Sequence, residues 1–185
     1  MKTKTHTTAV VLIPPQALWE PIQAIRHKHD RQVRRWMPHV TLLYPFVPLA
    51  EFDAMAPRLA HACARIEPFE VCLEGFRHFD HGGESFTVWL APEPSQAVVN
   101  LQEALWRVVP KCDDVRRLVG GFTPHLSVGQ VRGRAALEAL LAELQRGWRP
   151  LSFAVHEVCL IYRFEPPDDV FRVSRAVPLG RSPAG

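Results

Sequence analysis

The sequence predicts an α+β fold: one bilobal domain of two mainly antiparallel sheets facing a central cleft, with helices outside. Three observations carry this. First, a short pattern of histidine, apolar residue and hydroxyl occurs twice, as His39-Val40-Thr41 and His125-Leu126-Ser127. Second, each copy follows a proline directly, Pro38 and Pro124, and runs on into apolar residues, so both read as strands. Third, strand and helix signals surround both copies in similar order, and the motif histidines stand 86 positions apart, at 39 and 125. The chain therefore reads as an internal duplication, and a two-fold arrangement would face the motif strands across a cleft. A ferredoxin-like domain with insertions is the competing picture, since each half could form such a unit.

The 185 residues, 47% hydrophobic and 22% charged, fit a single domain spanning 1–185 with two lobes and a real core. A net charge of +3 admits an anionic substrate but is too mild to argue for a surface that binds duplexes. Cys63, Cys72, Cys112 and Cys159 lack the short spacing of zinc or redox motifs and read as buried free thiols in a reducing compartment. The apolar run Ala9 to Ile13 is too short for a signal peptide, and no segment approaches the length that spans a bilayer. A soluble cytoplasmic protein with no membrane contact and no obligate protein partner is expected.

Thr7 to Ile13 is β-branched and apolar and stops at Pro14-Pro15, which predicts a strand. Leu18, Ile22 and Ile25 recur at helical spacing within Gln16 to His29, with Pro21 moving the start to about Glu20. A basic connector, Asp30 to Arg35, leads to the first motif strand, His39 to Val47. Glu51 to Ile66 reads as a helix that Pro57 kinks or starts later. Phe69 to Phe76 and Ser85 to Leu90 are strands of a hairpin turning at Asp80-His81-Gly82-Gly83. Ser95 is the expected N-cap of a helix over Ala97 to Val109, followed by a connector from Pro110 to Gly121. His125 to Val131 is the second motif strand, and Arg134 to Arg146 the clearest helix, with Leu137, Leu140, Leu141 and Leu144 as its stripe and Gly147 as its C-cap. Leu151 to Phe164 reads as one long strand, bent or bulged, and Val170 to Val177 closes the sheet.

Residues two apart on a strand share a face. His39 and Thr41 therefore point one way, while Val40, Leu42, Tyr44 and Phe46 point the other; His125 and Ser127 repeat the arrangement against Leu126 and Val128. Two imidazoles can serve as base and acid in one turnover, since histidine changes charge nearest to neutral pH. Hydroxyls two residues away can hold the non-bridging oxygens of a phosphodiester. No metal or cofactor is needed for this chemistry. His6, His27, His29, His61, His78, His81 and His156 have no such context and read as surface residues.

The stretches PHVTLLYPF at 38–46 and TPHLSVGQ at 123–130 resemble the two signature motifs of the 2H phosphoesterases, which include the 2′-5′ RNA ligase-like proteins and the cyclic nucleotide phosphodiesterases. Both copies of the family's His-x-Thr/Ser pattern are intact, and the resemblance spans nearly the whole chain. It implies the bilobal α+β fold, His39 and His125 as the catalytic pair, and Thr41 and Ser127 as phosphate-binding residues. It also implies a metal-independent phosphodiesterase that opens 2′,3′-cyclic phosphates at RNA or nucleotide ends to 2′-phosphates, with 2′-5′ ligation as the reverse reaction. The alternative is a module that binds nucleotides or RNA ends with little turnover. Which histidine is base and which is acid stays open. Phe86, Trp89 and Tyr162 are candidates for stacking a base, and Arg26, Lys28, Arg31, Arg34 and Arg35 for steering phosphate.

Overall fold

A computed structural model of the chain describes residues 4–117 and 121–180. The first strand, β1 (Thr8–Leu12), is buried at every position, as its unbroken β-branched and apolar run requires. A 3-10 turn at Gln16–Leu18 then leads into α1 (Trp19–His29), so Pro21 lies in the first turn, where its missing N–H costs nothing. The first motif strand, β2 (Val40–Leu43), is shorter than the sequence predicts. Pro45 has no N–H to continue the ladder, and Phe46 makes only an isolated bridge to Thr5. The predicted alternation consequently fails after Leu42: Phe46 enters the main core, but Tyr44 packs on the opposite side against Trp36.

Helix α2 (Phe52–Cys63) keeps Pro57 inside it and buries Phe52, Met55, Leu59 and Cys63. The hairpin strands outrun their predicted ends, as β3 (Phe69–Asp80) and β4 (Ser85–Glu93), with a bulge between Leu73 and Phe76. Pro92 lies in β4 rather than breaking it. Helix α3 (Ser95–Val108) begins at Ser95 with Pro94 as its cap residue. Ser95 therefore does not cap by its hydroxyl; its backbone N–H instead donates to Glu93 Oε2 at 2.9 Å. The connector after α3 falls partly outside the described residues, at 118–120. The second motif strand is β5 (Leu126–Arg132), and α4 (Arg134–Gly147) follows it with Trp148, not Gly147, as its C-cap.

The predicted long strand is two strands, β6 (Leu151–Val155) and β7 (Glu157–Tyr162), separated at His156. Its two parts join different sheets. The last strand is β8 (Arg172–Pro178). One sheet has the order β2-β1-β7-β8 and the other β5-β4-β3-β6, and every pairing is antiparallel. The duplication is therefore interleaved. Each sheet takes a motif strand and its predecessor from one half of the chain, and the neighbouring strand from the other half. Neither half closes a sheet by itself, so independent ferredoxin-like units are not what forms.

One core joins both sheets to the helices. Val10, Leu12, Val40 and Leu42 come from the first sheet, and Val88, Leu90, Leu126 and Val128 from the second. Ile22, Leu59, Leu101 and Leu137 bring the four helices onto it. A second, smaller cluster of Ala9, Val11, Cys159, Ile161 and Phe171 covers the other face of the first sheet, the face that carries Thr41 beside Val11. All four cysteines are free; Cys63, Cys112 and Cys159 are buried and Cys72 is half-buried.

Candidate active site

His39 and His125 each stand one residue before their strand and are held alike. His39 Nδ1 lies 2.7 Å from the carbonyl of Met37, and His125 Nδ1 lies 2.8 Å from the carbonyl of Thr123. A carbonyl oxygen only accepts, so Nδ1 carries the hydrogen in both rings. The neutral tautomer then leaves Nε2 as a free acceptor, the form a general base needs. Thr41 and Ser127 are half-buried on the face opposite Val40 and Leu42, and opposite Leu126 and Val128, all of which are in the core. Neither hydroxyl is engaged by a partner among the described residues.

Strands β2 and β5 lie against each other across the cleft, and the charge of His125 is felt at His39. The two histidines are thus brought within electrostatic reach of each other, while the cavity beside the second motif is lined by His125 and Ser127 and not by His39 or Thr41. Burial is the main force on both imidazoles. It pushes His39 from 6.5 to about 4; the charges of Arg26 and His125 act in the same direction, against the Met37 carbonyl and Asp30. Burial also lowers His125, against its bond to Thr123.

Aromatic rings supply that burial. Trp36 stacks on His39 at 4.6 Å and, at 3.7 Å, on Phe171. Phe79 meets His125 edge-on at 4.9 Å and stacks on Trp89, which is itself 6.0 Å from His125. Of the three predicted stacking candidates, Phe86 is in the core, Trp89 is buried behind Phe79, and Tyr162 packs edge-on with Phe164. Sequence reasoning missed Trp36 and Phe79. Trp36 is legible from its place three residues before His39; Phe79 is hidden because the strand signal ends at Phe76.

The basic run upstream of His39 is largely neutralised. Arg26 is 2% exposed and bonded through Nε to Asp30 Oδ2 at 2.8 Å. Asp30 Oδ1 accepts from Gln130 Nε2 at 3.2 Å, and Gln130 Oε1 accepts the Arg31 backbone N–H at 3.0 Å. This clasp ties the end of α1 to β5. Arg34 and Arg35 both pair with the buried carboxylate of Asp169. Lys28 and Arg31 are left exposed. His29 is not the surface residue expected, since it packs on β5 at Gly129.

A cavity of about 440 Å³ opens on His125 and Ser127 and runs along β3 and β4 to His81. Among the described residues, no three His, Cys, Asp or Glu side chains are grouped to hold a metal ion. No helix among them is long and apolar enough to cross a membrane.

A family model described as the 2′-5′ RNA ligase superfamily matches residues 14–166. The chain belongs to this superfamily, the 2H phosphoesterases. None of the curated proteins matches it in sequence. Among solved structures it is similar to E. coli LigT complexed with phosphate, at 20% identity and a TM-score of 0.59, covering 97% of this chain and 100% of that one. E. coli LigT complexed with 3′-AMP gives 18% and 0.57 with the same coverage. The Thermus thermophilus protein TT0787 gives 20% and 0.59, covering 95% and 100%. At such identities the likeness establishes the 2H fold, with its two sheets and four helices, and the sites rest on the geometry above.

Proposed function

We propose that this 2H protein is a metal-independent phosphodiesterase that opens the 2′,3′-cyclic phosphate of an RNA end or small nucleotide to a 2′-phosphate. The observation that carries the proposal is the paired tethering of His39 and His125, which spends Nδ1–H on backbone carbonyls and leaves each Nε2 for the substrate. One imidazole takes a proton from the attacking water as its oxygen bonds to phosphorus. The other, protonated, gives its proton to O3′ as the P–O3′ bond breaks. Thr41 and Ser127 donate to the non-bridging oxygens, whose charge grows in the transition state. With the 5′-hydroxyl of a second ribose attacking phosphorus in place of water, and O3′ again leaving with the proton, the same steps would form a 2′-5′ linkage.

The phosphate and 3′-AMP bound by the E. coli relative support a nucleotide ligand for this chain. A phosphate entering the site also supplies the charge that the half-buried imidazoles lack. Its negative charge favours the imidazolium and raises the depressed pKa of whichever ring acts as acid. The test is incubation with 2′,3′-cyclic AMP and with an RNA oligomer bearing a cyclic end, in the presence of EDTA. Conversion to the 2′-phosphate supports the enzyme. Binding without conversion selects instead a module that holds nucleotide or RNA ends.

A further inference from the structure

The cavity beside the second motif has two chemically different ends. His125 and Ser127 form one end, where a phosphate is to be held under the reading above. At the other, the hairpin of β3 and β4 contributes His81 and Thr87, with Thr123 along the side and Phe79, whose ring reaches to 4.9 Å from His125, between the two ends. Thr87 pairs across the sheet with Gln130, three residues beyond Ser127, so the two ends are separated by roughly 10 Å of strand. That is the span of a nucleotide from its phosphorus to the far edge of its base. The volume, about 440 Å³, lies within the range of small-molecule sites.

Polar groups meet the occupant at the hairpin end. Asp80 lines it, with Oδ1 accepting the Gly82 N–H at 2.8 Å and Oδ2 ion-paired with Arg134 at 3.5 Å. The paired carboxylate can still accept from a neutral, polar group. Phe79 is backed by Trp89 on one face and is half-buried, which leaves it as an apolar wall. His81 Nε2 and Thr87 Oγ1 are hydrogen-bonded to each other at 2.9 Å. A hydroxyl has one donor and two acceptor sites. If histidine donates, Thr87 offers its O–H to a ligand carbonyl; if Thr87 donates, its oxygen accepts from a ligand amine.

We propose that the cavity between His125 and the β3–β4 hairpin is a nucleoside subsite, with Phe79 as its wall and the His81–Thr87 pair meeting the polar edge of the base. It rests on the phosphate-end reading of Ser127 and His125, and extends it by saying where the nucleoside lies. Because the pair can switch between donor and acceptor, the subsite accepts bases with either an amine or a carbonyl at that edge.

Calorimetric titration of the wild-type protein, Thr87→Val and His81→Ala with adenosine 2′-monophosphate and with inorganic phosphate tests this. Both positions are on or beside the exposed hairpin, and Thr87→Val keeps the side-chain shape, so the fold is retained. Each variant should lose about three- to ten-fold in affinity for the nucleotide and none for phosphate. Equal losses for both ligands, or no loss for either, would overturn the subsite. Binding is read without turnover, so failure of the proposed reaction and failure of the subsite are distinguishable. A wild-type protein that binds phosphate but gains nothing from the nucleoside also overturns it.

Discussion

Gly129 of β5 lies so close against His29 of α1 that a Cβ on residue 129 would stand 2.5 Å from the Cβ of His29. The backbone carbonyl of His29 would be only 3.1 Å away, so neither neighbour is a flexible side-chain end that could swing aside. Helix α1 is thus seated directly on the strand that carries Ser127, and the connector leaving α1 carries Trp36 and His39. Gly129→Ala should cost about 1–3 kcal/mol by overpacking. A urea midpoint unchanged from wild type would show that α1 does not bear on β5 as described.

Asp30 fixes the same contact by charge. Asp30→Asn leaves the guanidinium of Arg26 buried without its counter-ion and should destabilise by about 3–5 kcal/mol. Replacing both together, Arg26→Met with Asp30→Leu, should be milder than Asp30→Asn alone, since no uncompensated charge remains. Denaturant midpoints of the three proteins decide this; a double variant worse than the single one would contradict it.

Much of this was legible beforehand because the strands alternate through the motif residues themselves. Val40 and Leu42 face the core, Thr41 the cleft, and β5 repeats the pattern. What local pattern does not encode is partner choice. Leu151 to Phe164 reads as one strand, yet His156 divides it between two sheets, because Val155 finds β3 and Cys159 finds β1. The interleaving of the halves is hidden for the same reason. The role of the basic run depended on Asp169, more than a hundred residues away, which a local reading of Arg34 and Arg35 cannot supply.

The hydroxyls have their own test. Thr41→Val and Ser127→Ala should each slow turnover by roughly ten- to a thousand-fold, as expected for one donor to a developing oxyanion. Substrate affinity should change less than the rate, since the loss is largest in the transition state. Unaltered rates in both variants would make the hydroxyls structural.

The lowered imidazoles revise the near-neutral pH optimum that two ordinary histidines would give. The profile of kcat/KM reports the free enzyme. With His39 at about 4 and His125 also below its usual value, its maximum should fall below pH 6.5. The limbs of kcat should lie at higher pH, because bound phosphate raises both rings. The limbs belong to the coupled pair. Coincident profiles with a maximum above neutrality would contradict burial as the dominant force.

Stability should carry the same signature. His39 has a folded value of about 4 against 6.5 when unfolded. Above pH 6.5 both states are neutral there and the group contributes no slope. As pH falls from 6.5 towards 4 the unfolded chain takes up a proton that the folded one refuses, so stability drops. His39→Gln should flatten this part of the curve of denaturation midpoint against pH. An identical slope in wild type and variant would show that His39 is not the histidine held neutral.

The most direct measurement is turnover of 2′,3′-cyclic AMP, in EDTA, by the wild-type protein, His39→Ala, His125→Ala and the double variant. If the two imidazoles act as one unit, the wild-type protein turns over in EDTA, each single change abolishes turnover, and the double variant is little worse than either. Near-normal activity in either single variant, or wild-type activity lost to the chelator and restored by a divalent ion, would contradict the paired-histidine account.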